Sequence, residues 1–314
     1  MLSVVVPTFN EGKNIRNLVT QIDEALKGID YEILFVDDSK DDTPQIIMEV
    51  AKDFPAVRME HRTGESGLAT AVLKGFRLAK GEYMACMDAD LQHPPIVLKY
   101  MYKAMEAGAD FCIPSRLIPG GDDGGLNWYR KFVSGTARKI GQIMLPCLRQ
   151  ISDPTSGLFM FRREVIEHAD LQPIGWKIMV EVLAMGTYSK VIEIPYKFQQ
   201  RTEGESKLSG KVTMEYLKQL KDLRKRYNKA NKYKVEIWSE DKIEYVLVNA
   251  KRVQIEKDVV GHDFVEISLK KKKTSIEVKT KHRKVLKKEE IKRSAVRITS
   301  IQKIRMWLKQ IFKL

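Results

Sequence analysis

Two hydrophobic patterns alternate along the first 200 residues of the chain. Short apolar runs predict buried strands, and the segments between them repeat apolar residues at the three- and four-residue spacing of helices. The predicted strands are residues 2–6, 33–36, 57–60, 83–87 and 110–114, and the predicted helices are residues 12–27, 43–54, 66–79 and 94–106. This alternation predicts an α/β fold in which helices cover both faces of a mostly parallel sheet.

The pattern changes near residue 210. Helical spacing predicts one amphipathic helix over residues 211–232, and alternating side chains then predict short strands. These strands are residues 233–238, 243–248, 252–255, 264–269 and 275–278, and residues 300–314 return to helical spacing. We therefore predict three parts: an α/β domain over residues 1–210, a connecting helix over 211–232, and a small β-rich region over 233–314 that ends in a helix.

Positive charge is concentrated in the β-rich region. The chain carries a net charge of +14; residues 233–314 hold 22 Lys and Arg against 11 Asp and Glu, whereas residues 1–232 hold 33 against 30. A basic region of this size favours contact with an anionic membrane surface or a nucleic acid. Residues 233–314 carry no RRM or zinc-finger pattern, so we expect the membrane surface and no nucleic acid.

The sequence carries no recognisable signal for export or for a membrane span. No stretch reaches the roughly 18–20 uncharged apolar residues of a transmembrane helix. The first residues read as a strand and lack the basic region and cleavage site of a signal peptide. Cys86, Cys112 and Cys147 are too widely spaced for a metal framework, which favours buried free thiols in a reducing compartment. We therefore expect a cytoplasmic location.

Polar clusters follow three of the predicted strands, at residues 8–11, 37–42 and 88–93. Parallel sheets of this kind bind ligands at the carboxyl ends of their strands. In the third cluster Asp88 and Asp90 flank one residue, and side chains two positions apart on a strand point the same way. Both carboxylates could therefore bind one hard cation, Mg²⁺ or Mn²⁺, that clamps the diphosphate of a nucleotide sugar. The alternative is a solvated turn.

Eight segments of the chain resemble, in the same order, the motifs of one enzyme family. They are residues 4–11 (VVVPTFNE), 35–39 (FVDDS), 67–71 (GLATA), 88–95 (DADLQHPP), 115–116 (SR), 153–157 (DPTSG), 175–178 (GWKI) and 201–207 (RTEGESK). The chain is thereby similar to the family 2 glycosyltransferases, and within them to the dolichyl-phosphate mannosyltransferases. The QHPP form of residues 92–95 resembles the mannosyl enzymes, whereas related polyprenyl-phosphate glucosyltransferases tend to carry QDPP. The resemblance implies a Rossmann-like GT-A catalytic domain over residues 1–210.

The resemblance also implies a donor site. Its nucleotide pocket would be lined by Pro7, Phe9, Glu11, Val36 and Asp38. Its metal ligands would be Asp88, Asp90 and Gln92, with the backbone of Ala89 beside the diphosphate. An acid after the second strand suits ribose hydroxyls, although Asp38 or Ser39 could instead cap the helix that follows. The alternative for Gln92 is to cap a helix that begins at Pro94.

The same resemblance implies an acceptor site that holds a phosphate. Its residues would be Arg116, Arg130 and Ser134. Guanidinium groups suit phosphate oxygens because they donate paired charge-assisted hydrogen bonds, although Arg130 could also be a solvated helix position. Asp153 would orient the acceptor or an arginine, or only shape its Asp-Pro turn. We expect Asp90, Arg116 and Asp153 to lie closest to the chemistry.

The resemblance implies four cations in the donor site, namely Arg116, which is also expected at the acceptor phosphate, Lys177, Arg201 and Lys207. Arg201 and Lys207 lie in a loop that closes over the diphosphate in the family, and Lys177 lies in the matched segment 175–178. Positive charge there would offset the charge that develops on the leaving group. The alternative for residues 201–207 is a plain linker.

The expected reaction follows from these assignments. Mannose would pass from GDP-mannose to dolichyl or another polyprenyl phosphate, in one in-line displacement with inversion that releases GDP. An acceptor phosphate is already an anion and needs no strong general base. The alternatives are a different donor, such as a UDP-sugar, with the same lipid acceptor, and transfer to a sugar hydroxyl, which the phosphate-directed arginines disfavour.

Many relatives carry transmembrane helices after the catalytic domain, and this sequence shows none. We therefore expect peripheral docking on the cytoplasmic face of a membrane, or on a membrane-protein partner. The apolar residues Ile301, Ile304, Trp307, Leu308, Ile311 and Phe312 follow helical spacing, and basic residues lie mostly on the other side. Such a helix suits an anionic membrane interface; the alternative is packing on the β-rich region. The helix of residues 211–232 could add a second membrane contact.

Overall fold

The computed structural model describes two compact units. The described residues are 1–125, 128–199, 210–230, 233–240, 243–248, 251–255, 264–269, 273–279 and 285–292, with side chains in 1–125, 128, 131–199 and 214–227. The first unit comprises Met1–Gly186 and Lys190–Leu223, and the second comprises Arg224–Leu314 and Thr187–Ser189. In the described part of the chain, no helix is both long and apolar enough to cross a membrane.

The first unit is built on a seven-stranded sheet. Its strands are β1 (Leu2–Thr8), β2 (Tyr31–Asp37), β3 (Val57–His61), β4 (Tyr83–Cys86), β5 (Phe111–Ser115), β6 (Phe159–Arg162) and β7 (Val191–Pro195). They are ordered β3-β2-β1-β4-β6-β5-β7, and every neighbouring pair is parallel except the two pairs that β6 makes. The predicted mostly parallel sheet is confirmed.

Seven α-helices accompany this sheet in the described residues. They are α1 (Gly12–Ala25), α2 (Thr43–Asp53), α3 (Leu68–Leu78), α4 (Ile96–Glu106), α5 (Trp128–Met144), α6 (Ile178–Met185) and α7 (Gly210–Ala230). The sequence pattern predicts α1 to α4 and α7 within a few residues at each end. A helix around Arg130 is expected without bounds, in agreement with α5, whereas α6, β6 and β7 are not predicted.

The helices cover both faces of the sheet, as predicted. Side chains alternate along a strand, so neighbouring residues of β1 face opposite sides. Val4 and Val6 belong to the same core cluster as buried residues of α1, α2 and α4. Val5 faces α3 instead, where Gly75 lies so close that an added Cβ would overlap the Val5 side chain. The missing side chain at Gly75 therefore lets α3 approach the sheet.

Helix α7 buries the apolar face that its sequence pattern predicts. Tyr216, Leu220 and Leu223 are all buried, and the Tyr216 hydroxyl donates to the Ala137 carbonyl of α5 at 3.3 Å. Apolar side chains that pack within the first unit are unavailable to a lipid surface. A second membrane contact by this helix would have to use its other side chains, and it stays a prediction.

The second unit contains a six-stranded antiparallel sheet. Its strands are β8 (Tyr233–Glu240), β9 (Ile243–Val248), β10 (Lys251–Ile255), β11 (Phe264–Leu269), β12 (Lys273–Lys279) and β13 (Val285–Lys292), in the order β10-β9-β8-β11-β12-β13. The predicted β-rich region is thus present, with one strand more than expected. The predicted helix over residues 300–314 lies outside the described residues, and the boundaries of the three predicted parts remain a prediction.

Candidate active site

The carboxyl ends of β2, β1 and β4 lie side by side because these strands are neighbours in the sheet. The fully buried Asp37 carboxylate ties the strand ends together. It accepts hydrogen bonds from the Thr8 hydroxyl at 2.7 Å and the Ser39 hydroxyl at 2.6 Å, and it lies 2.8 Å from Nδ1 of His61. These contacts therefore hold the ends of β1, β2 and β3 together and fix the starting points of the loops that follow them.

Asp38 forms a buried ion pair with Arg62, which follows β3. Nε and Nη2 of Arg62 donate to the two carboxylate oxygens of Asp38 at 2.7 and 2.6 Å, and the Gly67 N–H donates to Oδ2 at 2.8 Å. The capping alternative for Asp38 and Ser39 is wrong, because α2 has its N-cap at Asp42. Arg62 was not singled out from the sequence, and a contact to ribose by Asp38 stays a prediction.

The remaining residues of the predicted nucleotide pocket differ in exposure. Pro7 and Val36 are buried, and Val36 packs against Gly75 of α3. Phe9 is 44% exposed, and the half-buried Glu11 accepts a hydrogen bond from the side chain of Asn14 at 3.0 Å. Phe9 and Glu11 therefore offer the open surface of this pocket, and its nucleotide contacts stay a prediction.

The two acids of the DAD segment lie in a turn after β4. The strand ends at Cys86, so strand alternation does not orient Asp88 and Asp90 as expected. The turn itself orients them: Leu91 takes a left-handed φ of 58°, and Oδ1 of Asp90 accepts the Gln92 N–H at 3.1 Å. A left-handed conformation is uncommon for leucine and is maintained only where surrounding structure fixes it. The surrounding structure therefore fixes the conformation of this turn.

Gln92 does not cap the following helix. Helix α4 begins at Ile96, after an N-cap at Pro95 with no side-chain cap hydrogen bond. The backbone carbonyl of Gln92 instead accepts the Gln199 N–H at 2.9 Å. The segment after β7 is therefore joined to the Asp88–Asp90 turn.

The segment from Asp153 to Gly157 packs directly against this turn. A Cβ on Gly157 would overlap Oδ2 of Asp88 and come 3.4 Å from the His93 ring. The Ser156 hydroxyl lies 3.3 Å from Nε2 of the buried His93. Burial lowers the pKa of His93 to about 4, against an opposing effect of Asp90, so the imidazole is neutral near pH 7.

Arg116 follows β5 and is aimed by two contacts. Its Nε donates to Oδ2 of Asp153 at 2.9 Å, and its guanidinium lies 4.7 Å from the centre of the Phe198 ring. Burial alone would lower the pKa of Arg116, but Asp153 raises it above the ordinary value. The pair shows that Asp153 orients an arginine, one of the roles predicted for it. Within the described residues Nη1 and Nη2 of Arg116 make no hydrogen bond.

Lys177 brings a second cation into the same cluster. Its Nζ donates to the Thr155 carbonyl at 3.0 Å. Burial lowers its pKa, while attraction from Asp88 and Asp153 acts in the opposite direction. Two cations, Arg116 and Lys177, therefore lie near the carboxylates of Asp88 and Asp153. Guanidinium and ammonium groups suit a ligand that carries several negative charges.

Asp88 and Asp90 offer the carboxylate oxygens that a hard divalent cation prefers as ligands. Among the residues that the structure describes, no three His, Cys, Asp or Glu side chains form a complete metal site. A cation at these two acids would therefore complete its coordination with Gln92, water and substrate oxygens. Mg²⁺ is commonly bound in this way, through one or two carboxylates and substrate phosphates.

Some predicted residues are only partly placed. Arg130 and Ser134 are four residues apart in α5, which puts them on one helix face, but the side chain of Arg130 is outside the described set. Arg201 and Lys207 lie outside the described residues altogether. Two contacts of the site were missed from the sequence, Arg62 and Phe198. The sequence feature that could have indicated Arg62 or Phe198 as a site residue is its position shortly after the end of a strand.

Comparison with known proteins identifies the family. The family described as Glycosyl transferase family 2 matches residues 3–169. A dolichol-phosphate mannosyltransferase from Pyrococcus furiosus is 46% identical over 225 residues, which cover 71% of this chain and 64% of that protein. A dolichol-phosphate mannosyltransferase from Saccharomyces cerevisiae is 40% identical over 234 residues, covering 70% of this chain and 86% of that protein. The match thus spans less than two thirds of the Pyrococcus furiosus protein.

Solved structures agree on the fold. Glucosyl-3-phosphoglycerate synthase from Mycobacterium tuberculosis, solved with Mn²⁺, UDP-glucose and phosphoglyceric acid, gives a TM-score of 0.55 at 16% identity, over 72% of this chain and 80% of that chain. At this identity the likeness concerns the fold alone. The expected GT-A fold is confirmed. The chain belongs to the family 2 glycosyltransferases.

Proposed function

We propose that this chain transfers mannose from GDP-mannose to a polyprenyl phosphate such as dolichyl phosphate. The observation that carries the proposal is the ion pair of Arg116 with the buried Asp153. This pair lies near the Asp88–Asp90 turn, since Lys177 interacts electrostatically with both Asp88 and Asp153. An oriented arginine beside a diphosphate-binding turn suits an acceptor that is itself a phosphate. The names of the two mannosyltransferase relatives support the choice of sugar and lipid.

The donor would occupy the loops after β1, β2 and β4. Phe9 and Glu11 offer surface to the nucleotide, and Asp38 is held rigidly by Arg62. Asp88 and Asp90, with Gln92, would hold Mg²⁺ or Mn²⁺, which supplies positive charge to the diphosphate leaving group when bound. Lys177, and the predicted residues Arg201 and Lys207, would add to that charge.

The acceptor phosphate would bind at Arg116. Nε of this residue donates to Asp153, which leaves the Nη1 and Nη2 groups as donors for a phosphate. Arg130 and Ser134 on α5 would hold further phosphate oxygens. Asp153 keeps the guanidinium in one orientation through its hydrogen bond to Nε.

The reaction needs little proton transfer. A phosphate oxygen forms the new bond to the anomeric carbon while the bond to the GDP oxygen breaks, which gives inversion and polyprenyl phosphate mannose. The acceptor is anionic at neutral pH, so no strong base is required. The buried His93 stacks its ring on Tyr196, and its Nε2 lies 3.3 Å from the Ser156 hydroxyl.

The lipid acceptor would reach the site along a membrane surface. Helix α5 exposes Trp128 (78%), Phe132 (66%) and Ile143 (70%), and at about 100° per residue these three lie within about 60° of the helix circumference. An exposed stripe of aromatic and aliphatic residues suits a membrane interface. This stripe and the basic residues 233–314 support peripheral docking on a membrane. We propose that the chain docks on the cytoplasmic face of an anionic membrane or beside a membrane-protein partner.

The acceptor class is tested by comparing dolichyl phosphate with dolichol, at fixed GDP-mannose and Mn²⁺. Transfer to the phosphate and none to the alcohol is expected. Arg116→Ala should weaken use of dolichyl phosphate about 10- to 100-fold, the effect of losing a charge-assisted contact, with GDP affinity kept. Transfer to a sugar hydroxyl, or an equal loss of GDP affinity, would contradict the proposal.

A further inference from the structure

Glu193, in the middle of β7, holds the turn that carries Asp153. Oε1 of Glu193 accepts the Ser152 N–H at 2.9 Å, the Ser152 hydroxyl at 2.8 Å and the Asp153 N–H at 3.3 Å, and Oε2 accepts the Ser152 N–H at 3.1 Å. One carboxylate thus binds two consecutive peptide N–H groups and the side chain between them. Hydrogen bonds to a charged acceptor are the stronger kind, so this contact fixes the turn on the sheet.

The same turn is joined to the strand that precedes Arg116. The Ser152 hydroxyl lies 2.5 Å from the Ser115 hydroxyl, and Ser115 is the last residue of β5. Arg138 of α5 donates to the Ser152 carbonyl at 3.3 Å. Because β5 and β7 are adjacent parallel strands, Glu193 lies beside Ile113 in the register. The sheet therefore braces the turn from two strands.

Arg116 depends on this turn for its direction. An unrestrained arginine samples many rotamers, and a planar fork recognises phosphate only when it is presented in one orientation. The side chain is held at Nε by Asp153 and covered on one side by the Phe198 ring. If Asp153 were displaced, Nε of Arg116 would lose its hydrogen bond and the guanidinium group would adopt other orientations.

We propose that Glu193 is a positioning residue for the acceptor phosphate. It fixes the turn of Ser152 and Asp153, and through Asp153 it aims the two amino groups of Arg116. Glu193 touches no substrate in this account. The inference rests on the proposed function, because it takes the Arg116 fork to bind the acceptor.

Glu193→Gln tests the contact with the shape of the side chain kept. The amide loses the negative charge, and its NH₂ group cannot accept a hydrogen bond from Ser152. Glu82→Gln is the matched control, since it makes the same change at an exposed ion pair with Arg162. With saturating GDP-mannose, Glu193→Gln should raise the KM for a short-chain polyprenyl phosphate about tenfold, while the donor KM stays within about twofold. Glu82→Gln should change neither KM.

A double-mutant cycle asks whether the effect passes through Arg116. In an Arg116→Lys background the fork is already absent, so Glu193→Gln should add little to the acceptor KM. A full tenfold effect in that background would overturn the proposal, as would an equal rise of both KM values in the single variant. Should Glu193→Gln fold poorly by its thermal midpoint, Ser152→Ala removes one donor of the same contact. It should still raise the acceptor KM selectively.

A spectroscopic measurement separates this inference from the proposed function. The Nε–H signal of Arg116 in a ¹H–¹⁵N spectrum, assigned by its loss in Arg116→Lys, should move in Glu193→Gln and stay in place in Glu82→Gln. If the wild-type chain transfers no mannose but the signal responds in this way, the proposed function fails and the positioning of Arg116 stands. If the signal is unchanged in Glu193→Gln, the positioning role is refuted whatever the activity.

Discussion

Gly157→Ala should impair catalysis with little loss of stability. The added methyl would overlap Oδ2 of Asp88 and come 3.0 Å from its Cγ, where ordinary contacts begin at 3.4 Å. Relief requires the Asp88 carboxylate to move by about 1 Å, and a misplacement of that size at a reacting group costs about a hundredfold in rate, or about 2.7 kcal/mol in the barrier.

The stability of this variant should stay close to wild type because the clash falls on the end of a side chain. An off-rotamer Asp88 costs about 0.5–1.5 kcal/mol, and replacing glycine by alanine returns about 0.4–1 kcal/mol by restricting the unfolded chain. The thermal midpoint should therefore shift by no more than about 3 °C.

The assay for Gly157→Ala is steady-state mannose transfer across a Mn²⁺ titration, with calorimetry for the thermal midpoint. Gly64→Ala is the control, because nothing lies within 4 Å of a Cβ at Gly64. We expect Gly157→Ala to lower kcat about a hundredfold and to require more Mn²⁺ for half-maximal rate. Wild-type kcat and Mn²⁺ dependence in this variant would refute the role given to the Asp88 turn.

Three further predictions concern the metal, acid stability and the basic tail. Asp90→Asn should abolish transfer at an almost unchanged thermal midpoint, and EDTA should do the same to wild type; transfer that persists in EDTA would contradict this. Burial alone would raise the pKa of Glu32, but hydrogen bonds from Arg58, Ser3 and the Lys80 N–H lower it overall. Its stabilisation is therefore present at neutral pH and lost as the pH falls through the folded-state pKa, so Glu32→Gln should be less stable at pH 7 and show a flatter acid unfolding profile. A chain that ends at residue 299 should lose salt-sensitive co-sedimentation with anionic liposomes but keep GDP binding, and unchanged sedimentation would show that residues 300–314 have a structural role.

The parts of the fold that the sequence predicts are those with local patterns. Strands β1, β2 and β4 are short apolar runs followed by polar clusters, and each cluster does lie at a strand end of the sheet. Strand β6 was missed because its Phe-Met-Phe-Arg run is buried on both faces and shows no alternation. Its antiparallel place between β4 and β5 arises from long-range pairing that no local pattern records.

The candidate site shows the same division. Asp88, Asp90 and Arg116 were found because their motifs are local, but the contacts that orient them are not. Arg62 reaches Asp38 across 24 residues, and Asp153 reaches Arg116 across 37. The expectation that strand alternation aligns Asp88 with Asp90 failed because β4 ends two residues before Asp88, and a left-handed Leu91 then sets the turn.

The central claim is that the donor is GDP-mannose and the acceptor a polyprenyl phosphate. The most direct measurement is a donor panel with the purified full chain, dolichyl phosphate and Mn²⁺ or Mg²⁺, in which lipid-linked product is resolved for GDP-mannose, UDP-glucose and other nucleotide sugars. We expect dolichyl phosphate mannose and GDP from GDP-mannose, with no comparable product from UDP-glucose. Efficient transfer from a UDP-sugar, or no lipid-linked product from GDP-mannose, would contradict it.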